Sequence, residues 1–268
     1  MTKTNLVGEI VKKQSYLCVG LDSDCDKLPK GFSKDAKGVI DFNKAIIDAT
    51  AAHCVSYKIN TAFYESMGVK GWQALEETLA HIPSSHFTIA DAKRGDIGNT
   101  SAHYAKTFFE ILPFDAITVA PYMGKDSIDP FLAYTNKCTI VLGLTSNEGS
   151  QNFEQQKLAS GQYLYESVLE QVATWGSADQ VMFVVGATKA KEFESIRKII
   201  PAHFILVPGV GAQGGSLEEV TKYGKNKEVG LLVNASRAII FASSENDFAE
   251  KAAIAAQQYA AEMKSLLK

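Results

Sequence analysis

The chain has 268 residues, 46% of them hydrophobic and 21% charged, with a formal net charge of -3. That length and apolar content can bury a large core and suit one α/β-barrel domain over residues 1–268. The weak negative balance supplies no positive field for nucleic acid or an acidic membrane surface, although a phosphate on a small molecule needs only local charge and backbone N–H groups.

Residues 1–13 contain Lys3, Glu9, Lys12 and Lys13 and no continuous apolar stretch. Neither a signal peptide nor a membrane span is predicted there, which points to a soluble, cytoplasmic protein. Cys18, Cys25, Cys54 and Cys138 are scattered without a CxxC pair. They read as structural thiols, with no disulfide and no zinc site.

Short apolar, β-branched runs then alternate with segments of helical period. The first run, 16–21, is followed by a polar stretch, 22–38, and a helix over 39–52. Strand 55–59 precedes helix 71–81, strand 87–90 precedes helix 98–112, and strand 116–119 precedes helix 127–136. Strand 139–144 leads into a second polar stretch, 146–160, and helix 161–175. Strand 181–185 with helix 189–199, strand 204–207 with helix 216–223, and strand 230–233 with helix 246–267 complete the series. Continuous rather than alternating hydrophobicity marks strands covered on both faces, as in a parallel sheet wrapped by helices. Eight such units predict a TIM (β/α)8 barrel in preference to an open doubly wound sheet, and the two long polar stretches follow strands, on the face where barrels carry their active sites.

The strongest local signal is Asp-Ala-Lys-Arg-Gly-Asp-Ile-Gly-Asn-Thr from Asp91 to Thr100, directly after the third strand. In an extended strand Asp91 and Lys93 point to the same side, into the barrel mouth. Read alone, the run could be a strand-end Asp, a solvated Lys and a helix-capping Asp96. Asp22 and Lys58, however, also stand at strand ends, and alternating charges gathered at one mouth favour a chemical centre. A second signal is the run from Pro208 to Gly215, Pro-Gly-Val-Gly-Ala-Gln-Gly-Gly, followed by Asn-Ala-Ser-Arg ending at Arg237. Gly209, Gly211 and Gly214 spell GxGxxG, but the following strand ends in Asn234 rather than in the acidic residue that a dinucleotide site uses to hold ribose. Loops after the seventh and eighth strands of a barrel instead build phosphate sites, with Arg237 available as a bidentate clamp. His53, His81, His86 and His203 fall near helix ends or before strands, and His103 falls inside a helix. With no HExxH or activated Ser–His or Cys–His pattern, carboxylates and lysines must carry the chemistry.

With these motifs in place, the sequence resembles the orotidine 5'-phosphate decarboxylase family, in its larger bacterial branch, over essentially the whole chain. The family's Asp-x-Lys-x-x-Asp motif matches Asp91, Lys93 and Asp96, its strand-two lysine matches Lys58, and its strand-one aspartate matches Asp22. Its pyrimidine-contacting serine matches Ser146, and its phosphate-loop glutamine and strand-eight arginine match Gln213 and Arg237. The resemblance implies decarboxylation of orotidine 5'-monophosphate to UMP with no metal and no organic cofactor. It further implies a homodimer in which Asp96 and Thr100 complete the neighbouring subunit's site.

The residue types suit that reaction. Loss of CO2 from C6 of the pyrimidine leaves a carbanion with no adjacent carbonyl sink, which a fixed ammonium can stabilise and then protonate. Lys93 takes this role, with Asp91 and Asp96 favouring its charged form and Lys58 extending the charge network. Those carboxylates argue against a Schiff-base aldolase, whose lysine needs apolar or cationic surroundings. Asp22 and Lys58 are expected at the ribose hydroxyls, Ser146 at the base, and Gly211, Gln213 and Arg237 around the phosphate, with Pro208 as a further substrate-binding residue. Two alternatives remain open at this point: a Mg2+-dependent phosphosugar decarboxylase, such as one acting on 3-keto-gulonate 6-phosphate, and a non-catalytic barrel that binds a nucleotide phosphate.

Overall fold

The computed structural model describes residues 1–211 and 214–268. Eight strands close in sequence order into one parallel barrel. They are β1 (Leu17–Gly20), β2 (Ser56–Asn60), β3 (Phe87–Arg94), β4 (Ala116–Val119), β5 (Cys138–Leu144), β6 (Val181–Val185), β7 (Phe204–Pro208) and β8 (Leu231–Ala235). Closure is made by β1 against β8, with Leu17 opposite Val233 and Val19 opposite Ala235. β1, β4, β6 and β8 are buried at every position, as expected when side chains of one face fill the barrel and those of the other meet the helices. The arrangement is a TIM barrel.

The helices are α1 (Lys3–Lys13), α2 (Ala36–Thr50), α3 (Ala62–Glu65), α4 (Val69–His81), α5 (Gly98–Lys106), α6 (Lys125–Leu132), α7 (Leu164–Ala173), α8 (Phe193–Ile199), α9 (Leu217–Gly224), α10 (Arg237–Ile240) and α11 (Phe248–Leu266). α1 was not expected from the sequence, because its apolar content is too thin to read as a run. Leu6 and Ile10, one helical turn apart, are nevertheless fully buried. Its polar residues tie it to the chain entering the strands: Lys13 donates to the carbonyls of Ala51 and Cys54, and Lys3 pairs with Asp179 and Glu228. α1 thus sits over the amino-terminal end of the barrel and leaves the opposite mouth open.

Two expected helices are broken. The segment 98–112 is α5 followed by a π-helical turn over Thr107–Ile111, and 189–199 is a 3-10 segment over Ala187–Glu192 leading into α8. Conversely α2 begins three residues early, at Ala36, because the Asp35 carboxylate caps it by accepting from the Gly38 N–H at 3.0 Å. Cys18, Cys54 and Cys138 are buried free thiols, and Cys25 is partly exposed and also free. No described helix is long and apolar enough to cross a membrane.

Candidate active site

A cavity of about 280 Å³ opens at the carboxyl ends of the strands. Asp22, Lys58, Asp91, Lys93, Ser146, Pro208 and Arg237 all line it, so the structure brings together residues drawn from β1, β2, β3, β5, β7 and β8 or the loops that follow them. Asp22 is held in place from below by a buried polar network. The Ser23 hydroxyl donates to Asn43 of α2, Asn43 donates to the Tyr64 hydroxyl and to Thr78, and Tyr64 donates to the Leu21 carbonyl.

The charges alternate across the floor. Lys58 Nζ lies 3.3 Å from Asp22 Oδ1 and 2.9 Å from Asp91 Oδ2, and Lys93 Nζ lies 2.5 Å from Asp91 Oδ1. Lys58 is 4% exposed. Burial alone would lower its pKa, but the carboxylates of Asp91 and Asp22 outweigh that and hold it above the usual lysine range. Burial would likewise raise Asp91, but the ammonium groups of Lys58 and Lys93 keep it well below the usual carboxylate range. Both groups are therefore fixed in their charged forms. The Lys93 side chain is half exposed and faces the open cavity.

Lys93 does not reach Asp91 through regular two-residue alternation. β3 slips against β4: Ala90 pairs with Ile117 and Arg94 with Val119, so β3 spends four residues where β4 spends two. Within the slip Lys93 adopts a left-handed backbone, φ 45°, a conformation that costs a non-glycine residue ~1–3 kcal/mol. Asp96, expected beside Lys93, makes no ion pair with it among the described residues. Its Oδ1 instead accepts from the Ile97 N–H at 2.7 Å, and both Asp96 and the exposed Thr100 lie outside the cavity.

On the far side, Pro208 ends β7 and leads into Gly209 at φ 93° and Gly211 at φ 73°. A Cβ on Gly211 would come within 2.6 Å of the Tyr259 hydroxyl. Gly211 borders the cavity's neighbour along α11 rather than the cavity itself, and Gln213 lies outside the described residues. Arg237 is exposed, opens α10, and makes no hydrogen bond or ion pair among the described residues.

Several polar residues of the site had no signal in local spacing. Glu154, nine residues beyond Thr145, accepts from its N–H at 2.7 Å and from its hydroxyl at 2.9 Å, which anchors the segment carrying Ser146. Asn234 Oδ1 and Ser236 Oγ are buried without a protein partner among the described residues, and both residues line the cavity. The histidines take no part in this mouth. His86 contacts Lys13 and the Ala51 carbonyl beneath the barrel, and His203 is buried against Phe183.

A model of the family described as "Orotidine 5'-phosphate decarboxylase / HUMPS family" matches residues 15–252. The chain belongs to this family. It is 57% identical to the orotidine 5'-phosphate decarboxylase of Christiangramia forsetii and 55% identical to that of Phocaeicola vulgatus, in each case over 100% of this chain and 99% of the relative. Among solved structures it is similar to the OMP decarboxylase of Leishmania donovani, with a TM-score of 0.87 and 35% identity over 99% of this chain and 98% of the other.

Proposed function

We propose that this chain decarboxylates orotidine 5'-monophosphate to UMP and CO2 in pyrimidine biosynthesis, as a cytoplasmic enzyme with no metal or organic cofactor. The observation that carries the reading is the alternating series Asp22, Lys58, Asp91, Lys93 at the mouth of a nucleotide-sized cavity. Full-length relatives named for this activity support it. The C6–carboxylate bond breaks, the electron pair stays on C6, CO2 departs, and Lys93 Nζ gives C6 a proton. At an effective dielectric near 20, an ammonium about 4 Å from the developing carbanion contributes about 4 kcal/mol. Because Asp91 and Lys58 are already charged and paired, the site needs little reorganisation as charge develops.

Asp22 and Lys58 would hold the ribose hydroxyls, Ser146 would read the base, and Arg237 and Gln213 would hold the phosphate beside Pro208 and Gly209, which line the cavity. Binding energy from that remote phosphate can be used to order the groups around the pyrimidine. A divalent ion at Asp22 and Asp91 would have to displace the buried Lys58 ammonium, which counts against the Mg2+-dependent phosphosugar decarboxylase.

The working unit in this proposal is a homodimer, with Asp96 and Thr100 serving the neighbouring site. Exposed apolar side chains on loops at the same end of the barrel support it: Ile97, Tyr122, Met123 and Phe153 follow β3, β4 and β5, with the Tyr122 and Phe153 rings 6.3 Å apart. The deciding experiment follows orotidylate by its ultraviolet change, with and without EDTA. Turnover insensitive to the chelator is expected; an inactive wild type, or activity abolished by chelation, overturns the proposal.

A further inference from the structure

The slip between β3 and β4 leaves the Lys93 N–H without a place in the ladder between them. A side chain takes it instead. Thr118, on β4 and 1% exposed, accepts from the Lys93 N–H at 2.9 Å and donates its own hydroxyl proton to Asp91 Oδ1 at 3.0 Å. One hydroxyl therefore joins the backbone of one reacting residue to the carboxylate of the other. The valences of Asp91 are then divided without ambiguity: Oδ2 receives Lys58, while Oδ1 receives Lys93 Nζ and Thr118.

Other strand threonines do not do this. Thr88, further back on β3, exchanges hydrogen bonds with Asp115 at the amino-terminal end of the barrel. Thr139, at the start of β5, has a buried hydroxyl with no partner among the described residues. Thr139 shows that a threonine hydroxyl on these strands is not required by the sheet, and at position 118 both of its bonds are spent on the chemical centre.

We infer that Thr118 is a positioning residue for decarboxylation, fixing Lys93 in its left-handed backbone and orienting Asp91 so that the ammonium meets the reacting carbon rather than solvent. The inference rests on the proposed activity, whose chemistry requires Lys93 at C6. Positional control of this kind acts on the chemical step. A misplacement of about 1 Å can cost on the order of a hundredfold in rate while leaving remote binding intact.

Thr118→Val removes the hydroxyl at nearly constant volume, and Thr118→Ser keeps it while deleting a methyl. The expected result for the valine variant is a kcat lower by about 10- to 100-fold, with KM and UMP affinity within about threefold of wild type. Hydrogen exchange at the Lys93 amide, read by NMR, should be faster in the valine variant, and the serine variant should restore both rate and protection. The inference is overturned if Thr118→Val keeps its kcat, if serine rescues no better than valine, or if UMP affinity falls in step with kcat. Should the wild type itself fail to turn over orotidylate, the proposed activity falls. The Lys93 exchange comparison then still decides the role of Thr118: faster exchange on loss of the hydroxyl supports it and unchanged exchange overturns it.

Discussion

Lys93 folds back onto Asp91 two residues earlier, placing Nζ 2.5 Å from Oδ1 across a backbone that is left-handed at the lysine itself. An ammonium held this way is fixed by one carboxylate while keeping half its surface toward the cavity. Lys93→Ala should therefore lose turnover by at least about a thousandfold, yet lower the free energy of unfolding by no more than about 1 kcal/mol, since partly exposed pairs contribute little to stability. Steady-state kinetics and urea unfolding of the same preparation check both halves.

Lys58 should behave in the opposite way. Its ammonium is buried between two carboxylates, so Lys58→Met leaves uncompensated negative charge inside the mouth. Breaking one partner from a buried pair costs about 3–5 kcal/mol, and a loss of that order is expected in urea titrations of Lys58→Met at pH 7. A loss under 1 kcal/mol would show that the network is not buried in solution.

Stability should also weaken on mild acidification, and the cause lies at the other end of the barrel. Burial lowers the His203 pKa to about 4, from an ordinary 6.5, and neither ring nitrogen has a partner among the described residues. The unfolded chain takes up a proton that folded His203 refuses, so its contribution is complete above about pH 6.5 and is lost as the pH falls toward about 4. The loss amounts to about 3 kcal/mol. Asp91, whose pKa is depressed, contributes no loss in this window, because its stabilisation fades only below the ordinary carboxylate range. His203→Phe should flatten the pH 4 to 6.5 slope by about that amount in melting experiments, leaving the smaller slope from His86, whose pKa burial also lowers.

Arg237 is exposed and unpartnered among the described residues, so its removal should cost the fold less than about 0.5 kcal/mol. A charge-assisted bond to phosphate is worth about 1.5–3 kcal/mol. Arg237→Ala should accordingly raise the KM for orotidylate about 10- to 100-fold, and equal KM values for variant and wild type would remove Arg237 from the phosphate site.

Mixing subunits tests the proposed sharing of sites. Lys93→Ala and Asp96→Ala, each inactive alone, should regain a fraction of wild-type turnover after co-refolding, because one of the two hybrid sites carries both intact residues. No recovery, with mixed dimers demonstrated by native mass spectrometry, would place Asp96 in its own subunit's chemistry.

The barrel was legible because each strand is a continuous apolar run bounded by polar residues, and the eight predicted runs fall within about two residues of the observed strands, apart from the extension of β3 to Arg94. The charges at strand ends followed from the same boundaries, which is why Asp22, Lys58, Asp91, Lys93 and Arg237 converge as expected. Thr118 and Glu154 were not legible. Thr118 meets Asp91 only because β3 slips past β4, and Glu154 meets Thr145 only because the intervening loop turns back; neither register nor loop path is written in local spacing. α1 carries no legible signal for a related reason, since two buried apolar residues in eleven are too few for a periodic pattern.

The closure of β1 on β8 has a kinetic corollary. Asp22 follows the first strand and Arg237 the last, so the two halves of the pocket face each other only after the most distant pairing in the chain, Leu17 with Val233, has formed. Such long-range pairing is slow and comes late in folding. During synthesis or refolding, the arrival of ligand affinity would thus be a clock for ring completion, trailing the appearance of helix and marking the moment when the exposed edges of the first and last strands disappear.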